Sequence, residues 1–220
     1  IVLTMTLFLL TLGTLGFYLL EHHNPATMGT LNAAGKFQAA FFQSVTTRTA
    51  GFASISQSGL TNGSKLLACM LMIVGGSPAG TAGGIKTTTV AVLLLTAISV
   101  LRGNKDTECY GRKITFEIIR VGITITLVTF VFWLFGVTVM TVIEPQQKVL
   151  DLMFEATSAM ATVGLTVDLT PVLSDISHVV LMLMMYIGRI GPMTMALIFS
   201  GHVDKKNQFR TLPEAKIMVG

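Results

Sequence analysis

Charged residues are scarce in this chain: they make up 12% of its 220 residues, whereas soluble domains carry about a quarter. Hydrophobic residues make up 51%, and the mean hydropathy is +0.71. So little charge excludes an ordinary soluble domain and indicates an integral membrane protein surrounded by a lipid bilayer. The basic residues cluster at the edges of apolar runs, so membrane topology explains them and nucleic-acid binding is not expected.

Other features that the sequence lacks exclude further classes. The two cysteines, Cys69 and Cys109, offer no disulfide framework and no Cys/His zinc spacing. The His22-His23 pair has no further ligand nearby and is expected to be solvated. No pair of carboxylates, activated nucleophile or metal cluster indicates an enzyme. The chain starts at Ile1 inside an apolar run and has no basic n-region, so we expect a fragment of a longer protein without a signal peptide.

Long apolar runs are abundant and predict membrane spans. Residues 1–20 and 121–143 are uncharged, and a run of about twenty residues crosses a hydrocarbon core of about 30 Å. Residues 178–200 form another predicted span, with Arg189 as its one charge. Residues 66–101 are apolar at both ends, but as one helix they would be about 54 Å long. That run must therefore be interrupted.

The interruption is predicted at a glycine-rich loop, residues 75–84. Its glycines are Gly75, Gly76, Gly80, Gly83 and Gly84. Glycine and proline interrupt helices and free backbone polar groups, so this segment could act as a plug. A phosphate-binding P-loop is disfavoured, because Ile85 separates Gly84 from Lys86 and no strand precedes the glycines.

A twelve-residue pattern occurs twice, at residues 41–52 and 154–165, without a gap and 113 positions apart. Each copy is a short helical segment that stops at Thr-x-Gly between long apolar runs. The two predicted short helices, residues 36–47 and 149–161, are too short to cross a membrane. Non-helical backbone at membrane depth is tolerated only where it is buried in protein or lines a watery cavity. The repeated break therefore predicts an ion pathway built from two pore loops.

The positive-inside rule gives the topology. The basic loop 102–113 and the basic tail 201–220 are predicted to be cytoplasmic, whereas Lys36, Arg48, Lys65 and Lys148 lie outside. Six acids are expected outside or near the pore loops, where an acidic vestibule would concentrate cations; they are Glu21, Glu144, Asp151, Glu155, Asp168 and Asp175. A solvated loop surface is the alternative for each of them.

The order of span, re-entrant helix, Thr-x-Gly and second span, repeated twice, resembles the membrane subunit of the Trk/Ktr/HKT family of potassium uptake systems. The resemblance rests on residues 47–52, 162–166, 75–89 and 186–192 and is closest to the Ktr branch. It implies an all-α membrane fold whose repeated units form a potassium-channel-like pore. This chain resembles the third and fourth of four such repeats, at residues 1–101 and 114–200, joined by the cytoplasmic loop 102–113 and followed by the tail 201–220.

The resemblance also implies roles for single residues. The filter that binds potassium through backbone carbonyls would be formed by Thr49, Ala50, Gly51, Thr162, Val163 and Gly164. Both filter glycines are present, which favours potassium, with sodium as a candidate activating ion. The glycine-rich loop and Arg189 would form the gate, because an ionisable side chain at mid-span usually faces a pathway or a buried partner. A salt bridge to an acid in the absent half is the alternative for Arg189.

Further implications are a homodimer in the cell membrane, a cytoplasmic C-terminus and a cytoplasmic nucleotide-binding ring that regulates the pore. No organic cofactor is expected in this chain. Two other functions stay open. One is a secondary cation transporter with a midplane site between broken helices. The other is a membrane subunit of a potassium-pumping ATPase, which would need a catalytic partner.

Overall fold

The computed structural model describes residues 1–78, 82–104 and 106–191. Seven α-helices dominate this part of the chain: α1 Val2–Glu21, α2 Ala33–Thr46, α3 Asn62–Ile73, α4 Thr87–Leu101, α5 Phe116–Ile143, α6 Val149–Met160 and α7 Asp175–Ile190. A short hairpin, β1 Glu108–Cys109 and β2 Arg112–Lys113, joins α4 to α5, and a 3-10 turn covers Thr170–Val172. The predicted all-α membrane architecture is confirmed, apart from this hairpin.

Two copies of one three-helix unit make up most of the fold, and α4 and the hairpin connect them. The first contains α1, α2 and α3, and the second contains α5, α6 and α7. Helices α1 and α5 are long and apolar enough to cross a membrane. Helices α2 and α6 are the predicted short ones, with 14 and 12 residues. The N-cap residues Thr61 of α3 and Ser174 of α7 are 113 positions apart, so the internal repeat extends beyond the Thr-x-Gly pattern.

A glutamate at the end of each long helix anchors the start of the third helix of its unit. Glu21 is fully buried and accepts hydrogen bonds from the backbone N and the Oγ1 of Thr61, both at 2.8 Å. Glu144 accepts from the backbone N of Ser174 and the Oγ of Ser177, also at 2.8 Å. A carboxylate is stabilised there because the first amides of a helix lack intrahelical partners.

The hydrogen bonds from Ser174 and Ser177 lower the pKa of Glu144. A depressed carboxyl pKa contributes stability at neutral pH that is lost as the pH falls through the lowered value.

Helix α6 lies at the centre of the hydrophobic core. Eight of its twelve residues are buried. The largest buried side chains around and within it come from four helices; they are Phe17 of α1, Met72 of α3, Met140 of α5, and Leu152 and Phe154 of α6. Helix α3 of the first unit packs directly against α6, so the two units share one core.

Helix α2 is packed on one side only. Ala40 and Ser44 are buried, but Phe37 and Phe41 of the same predicted face are 57% and 46% exposed. The helical spacing of Phe37, Ala40, Phe41 and Ser44 predicts that this face packs among other helices, and that prediction is wrong for the two aromatic residues. Helix α3 packs against α6. Among the residues that the structure describes, no helix packs against α2 in the same way.

Three other local expectations need correction. Helix α5 begins at Phe116, five residues before the predicted span. Within the loop 102–113, Tyr110 and Gly111 both have positive φ, 49° and 72°, which is the requirement of a two-residue hairpin turn. Glu117 and Arg120 lie three positions apart, a spacing that predicts an interfacial pair on one helical face. They form no ion pair with each other; the ion pairs among the described residues are Lys65–Asp151 and Lys113–Asp106.

The Lys65–Asp151 ion pair connects the two units. Lys65 of α3 lies 2.7 Å from the Oδ1 of Asp151 in the first turn of α6, and their side chains are only 9% and 21% exposed. Buried pairs add little over apolar residues of the same shape, but loss of one partner leaves an uncompensated charge. This contact is therefore expected to hold α6 in register against α3.

We expect Asp151→Asn to destabilise the protein by about 1 to 3 kcal/mol, because the Lys65 ammonium would stay buried without its counter-charge. The matched control is Asp106→Asn, which breaks a pair whose side chains are 63% and 47% exposed and should cost below about 1 kcal/mol. Thermal unfolding of the detergent-solubilised full-length protein measures both. Equal shifts in the midpoint temperature would contradict a structural role for the Lys65–Asp151 pair.

Candidate functional site

The two Thr-x-Gly segments, Thr49–Gly51 and Thr162–Gly164, lie side by side although 113 positions separate them. A Cβ added to Gly51 would sit 2.3 Å from the carbonyl oxygen of Val163. Each segment directly follows the C-terminal end of a short helix, α2 or α6. The C-terminal end of a helix carries partial negative charge. Two such ends therefore converge on one place, as the sequence predicted.

The backbone of both segments has the same unusual conformation. Thr49 and Thr162 have φ of 66° and 54°, and Gly51 and Gly164 have φ of 76° and 89°. The residue between, Ala50 or Val163, keeps a negative φ. A non-glycine residue with positive φ is uncommon and costs about 1 kcal/mol or more, so its occurrence at both equivalent threonines indicates a functional constraint.

This alternation of φ has a chemical consequence. Where the sign of φ changes from residue to residue, successive carbonyl oxygens can lie on one side of the chain, whereas a β-strand points them alternately to opposite sides. Carbonyl oxygens gathered in this way can replace the hydration shell of a cation. The geometry is thus suited to binding a dehydrated monovalent ion through the backbone.

Side chains of the short helices α2 and α6 form hydrogen bonds with the segments that follow the two Thr-x-Gly turns. In the first unit, Gln43 and Gln57 are buried and exchange two amide hydrogen bonds of 2.6 and 3.1 Å. Thr46 Oγ1 also donates to the carbonyl of Phe52 at 2.5 Å. These bonds connect α2 to the chain that follows it, so the intervening turn is fixed at both ends.

In the second unit a carboxylate has the same role. Glu155 of α6 is 4% exposed. It accepts hydrogen bonds from Thr166 Oγ1 at 2.5 Å, Val167 N at 3.0 Å and Thr170 Oγ1 at 2.8 Å. From the sequence, Glu155 and Glu21 are expected in an acidic vestibule. Both carboxylates are instead buried and hydrogen-bonded, so their contribution is structural.

Sequence reasoning missed the Gln43–Gln57 pair. One signal could have found it: Gln57 and Thr170 are 113 positions apart, so both units place a polar residue at the equivalent point after the turn.

The glycine-rich loop closes on itself at its base. Gly75 N donates to Ile85 O at 2.9 Å, and Thr87 N donates to Gly76 O at 3.2 Å. A Cβ on Gly75 would meet the carbonyl oxygen of Gly83 at 2.0 Å. Glycine is needed at this position because the two strands of the loop approach so closely. The predicted gate residue Gly80 lies outside the described residues.

The loop contacts the second Thr-x-Gly segment. Gly83 N donates a hydrogen bond to Thr162 Oγ1 at 3.0 Å. Gly84, with φ of 72°, packs near Ala161, the residue just before the segment. The structure therefore brings together Gly83, Gly84 and Thr162, three residues that the sequence assigned to a gate and to a filter.

Arg189 lines a cavity of about 560 Å³ beside the second Thr-x-Gly segment. Thr162, Val163, Gly164 and Glu155 line the same cavity. Arg189 thus faces the second segment from α7, while the glycine-rich loop contacts that segment through Gly83.

At the offset of 113 residues, Gly188-Arg189 aligns with Gly75-Gly76, which predicts helix interruptions at equivalent positions of the two units. The interruptions differ by about one helical turn: α3 ends at Ile73, whereas α7 continues to Ile190 and ends at Gly191, with φ of 86°. Gly188 has a role in helix packing instead. A Cβ there would lie 1.9 Å from the carbonyl oxygen of Met160, so glycine allows α7 to pack against the end of α6.

Comparison with known proteins places these features in context. The model of the TrkH family, described as cation transport protein, matches residues 1–210. The chain is 36% identical over 220 residues to Ktr system potassium uptake protein B of Bacillus subtilis, covering 100% of this chain and 48% of that protein. It is 38% identical over 200 residues to the protein of the same name from Vibrio alginolyticus, covering 91% and 44%.

A third relative is the potassium/sodium uptake protein NtpJ of Enterococcus hirae, 34% identical over 215 residues, covering 96% of this chain and 48% of that protein. Among solved structures, the potassium transporter TrkH from Vibrio parahaemolyticus matches with a TM-score of 0.74 and 17% identity over 90% of this chain and 44% of that chain. The chain therefore has that fold and spans about half the length of the relatives it matches.

The two glycines of the Thr-x-Gly segments allow a test of their packing. Gly51→Ala and Gly164→Ala both impose a side chain on a positive φ, but only the Cβ at position 51 meets backbone, since nothing lies within 4 Å of the Cβ at position 164. We expect Gly51→Ala to lower the midpoint of thermal unfolding more than Gly164→Ala does. Backbone strain of about 1 to 2 kcal/mol is common to both variants, and Gly51→Ala adds a clash with backbone. An equal loss in the two variants would contradict the contact between the segments.

Proposed function

This chain belongs to the TrkH family of cation transport proteins, and on that premise we propose that it is part of the membrane pore subunit of a potassium uptake system. One observation carries the proposal: two Thr-x-Gly segments with the same alternating φ meet at the ends of two short helices. The names of the Bacillus and Vibrio relatives, potassium uptake protein B, favour the same substrate. Transport by a family of this kind needs no catalytic residues, in line with the expectation of a protein that is not an enzyme.

Potassium would be bound at the filter by carbonyl oxygens of Thr49–Gly51 and Thr162–Gly164. A carbonyl filter selects an ion that it can dehydrate at low cost, and the negative ends of α2 and α6 add a favourable potential for a cation. Neither segment continues with a second glycine, since Phe52 and Leu165 follow. We therefore expect fewer fully dehydrated sites than in potassium channels and a lower selectivity over sodium.

A complete pore would need two further repeats. The exposed Phe37 and Phe41 support this, because the equivalent helix α6 is covered by α3 of the preceding unit whereas α2 has no such neighbour here. We infer that another repeat packs against this face of α2. The repeats present in this chain would be residues 1–101 and 114–200, with the loop 102–113 and the tail 201–220 in the cytoplasm of a multi-pass protein.

The gate would be formed by the glycine-rich loop and Arg189. Two features support this: the Gly83–Thr162 hydrogen bond attaches the loop to the second segment, and Arg189 lines the cavity beside that segment. A cationic guanidinium next to the ion path raises the electrostatic barrier for potassium. Movement of the loop away from Thr162 would lower the obstruction.

The partner proteins are proposed from the family resemblance. We propose a homodimer in the cell membrane with a cytoplasmic nucleotide-binding ring as its regulator, docking on the basic loop 102–113 or on the tail. Sodium is a candidate activating or transported ion, since the Enterococcus relative is named a potassium/sodium uptake protein.

A secondary cation transporter is the second candidate. Such proteins commonly contain inverted repeats. Here the two Thr-x-Gly segments contact each other. A cytoplasmic loop 102–113 between the two units would require both segments to enter from the same side of the membrane, which favours a pore with repeats of parallel orientation. A subunit of a potassium-pumping ATPase would need a partner that hydrolyses ATP.

The filter assignment is tested by Gly164→Ser in the full-length protein. Open space around position 164 accommodates the hydroxymethyl group, so the change should alter the carbonyl geometry without a steric clash. We expect potassium flux into liposomes to lose its selectivity over sodium by about fivefold or more, equivalent to about 1 kcal/mol.

The matched control is Gly103→Ser, at a glycine with φ of 71° and likewise nothing within 4 Å, in the connecting loop. It should leave both fluxes unchanged. If Gly164→Ser also left both fluxes unchanged in folded protein, the ion pathway would lie elsewhere and the secondary transporter would become the better interpretation.

The gate assignment is tested by Arg189→Gln, which removes the charge and keeps much of the side-chain volume. We expect the potassium flux to rise by about fivefold, a typical size for loss of one coupling interaction. Arg112→Gln, on the exposed strand β2, is the control for loss of a positive charge, with both variants measured in liposomes that lack the regulatory ring. An unchanged flux in Arg189→Gln with intact folding would favour a salt bridge of Arg189 to an acid outside this chain.

A further inference from the structure

A second large cavity, of about 510 Å³, lies on the side of α6 opposite to the cavity of Arg189. It is lined by the end of α3, the base of the glycine-rich loop, the middle of α4, the middle of α5 and the end of α6. Its lining is almost entirely apolar and includes Ile85, Ile123, Thr126, Leu127, Phe130 and Ala161. Cavities of this size hold small molecules or a single hydrocarbon chain.

The cavity opens on the membrane-facing side of the long helix α5. Ile123, Leu127 and Phe130 line it and are 50%, 60% and 54% exposed. Since α5 is long and apolar enough to cross a membrane, exposed apolar side chains in its middle contact lipid. The cavity is therefore continuous with the lipid phase.

The length of the cavity matches one leaflet. Its lining on α5 extends from Ile123 to Trp133, which is about 15 Å along a helix and about half of a hydrocarbon core of about 30 Å. Arg120 lies one turn before Ile123, is exposed and forms no ion pair among the described residues. A basic side chain at the membrane surface attracts anionic lipid headgroups.

From these observations we propose that the cavity binds one acyl chain of a phospholipid from the leaflet on the Phe116 side of the membrane, with the headgroup near Arg120. An apolar cavity open to a bilayer fills with hydrocarbon, because an empty one would lose the dispersion contacts of its lining.

The inner wall of the cavity belongs to the proposed gate. Gly84 and Ile85 at the base of the glycine-rich loop, and Ala161 before the second Thr-x-Gly segment, all line it. A bound acyl chain thus packs against the residues that attach the loop to that segment, and the bound lipid stabilises their contact. This consequence rests on the proposed function, whereas the binding itself does not.

Binding is tested by filling the cavity. Thr126→Trp places an indole in it and removes only a hydroxyl that bonds to Gly122 O of its own helix at 2.9 Å. The matched control, Thr138→Trp, changes the same residue type on the same helix, where the hydroxyl bonds to Leu134 O at 2.8 Å and the side chain is exposed. The full-length protein, purified in mild detergent from liposomes containing phosphatidylglycerol, is analysed by native mass spectrometry.

We expect the wild type and Thr138→Trp to retain a phosphatidylglycerol molecule that Thr126→Trp loses, with occupancy lower by about tenfold or more. Size-exclusion chromatography and thermal unfolding identify a variant that has not folded, and Leu93→Phe on α4 then replaces Thr126→Trp as a second way to fill the cavity. Equal lipid retention in the wild type and in a folded cavity-filling variant would overturn the proposal.

The identity of the occupant is tested by photo-crosslinking from Leu127. A photoreactive amino acid at this position in the full-length protein should link to phosphatidylglycerol in liposomes. Links to another segment of the chain or to a second subunit would overturn the proposal, because protein would then cover the cavity. Potassium flux is measured separately: lipid loss with unchanged flux would leave the binding site intact and contradict only its coupling to the gate.

Discussion

The structure depends on one constraint: backbone polar groups inside a membrane must be satisfied by protein, because lipid offers no hydrogen bonds. Two short helices that stop at membrane depth leave several carbonyls and amides exposed. The chain meets this demand with side chains from those helices. The Gln43–Gln57 pair in the first unit and the three bonds accepted by Glu155 in the second fix the segments after each turn. In the proposed function, the carbonyls of Thr-x-Gly would then be left to bind an ion.

The same constraint explains why buried carboxylates occur in so apolar a chain. Glu21 and Glu144 satisfy the first amides of α3 and α7, and Glu155 satisfies Val167 N. Asp151 at the start of α6 pairs with Lys65 of the other unit. Glu21, Glu144 and Asp151 lie at or next to helix ends, whereas Glu155 lies within α6, and each of them connects two different segments of the chain. Charge in this protein is thus used for assembly as much as for attraction of cations.

Several segments of the chain contact each other at the end of α6. The second Thr-x-Gly segment leaves it, the glycine-rich loop contacts it through Thr162, and Gly188 of α7 packs against Met160. The apolar cavity lies on one side and the cavity of Arg189 on the other. Under the two proposals made above, a change on either side would act on the same few residues, so both the proposed gate and the proposed lipid would act on ion flow at this point.

The sequence by itself determined the membrane class, the long helices, the two short helices, the break near Gly75 and the repeat of Thr-x-Gly, because local hydrophobicity and glycine spacing encode them. The family match confirms the resemblance inferred from those patterns. Only the tertiary structure decided the contact of Gly51 with Val163, the burial of Glu155, the exposed face of α2 and the end of α7 at Gly191. These features depend on which segments pack together across about a hundred residues, and local periodicity carries no information about that.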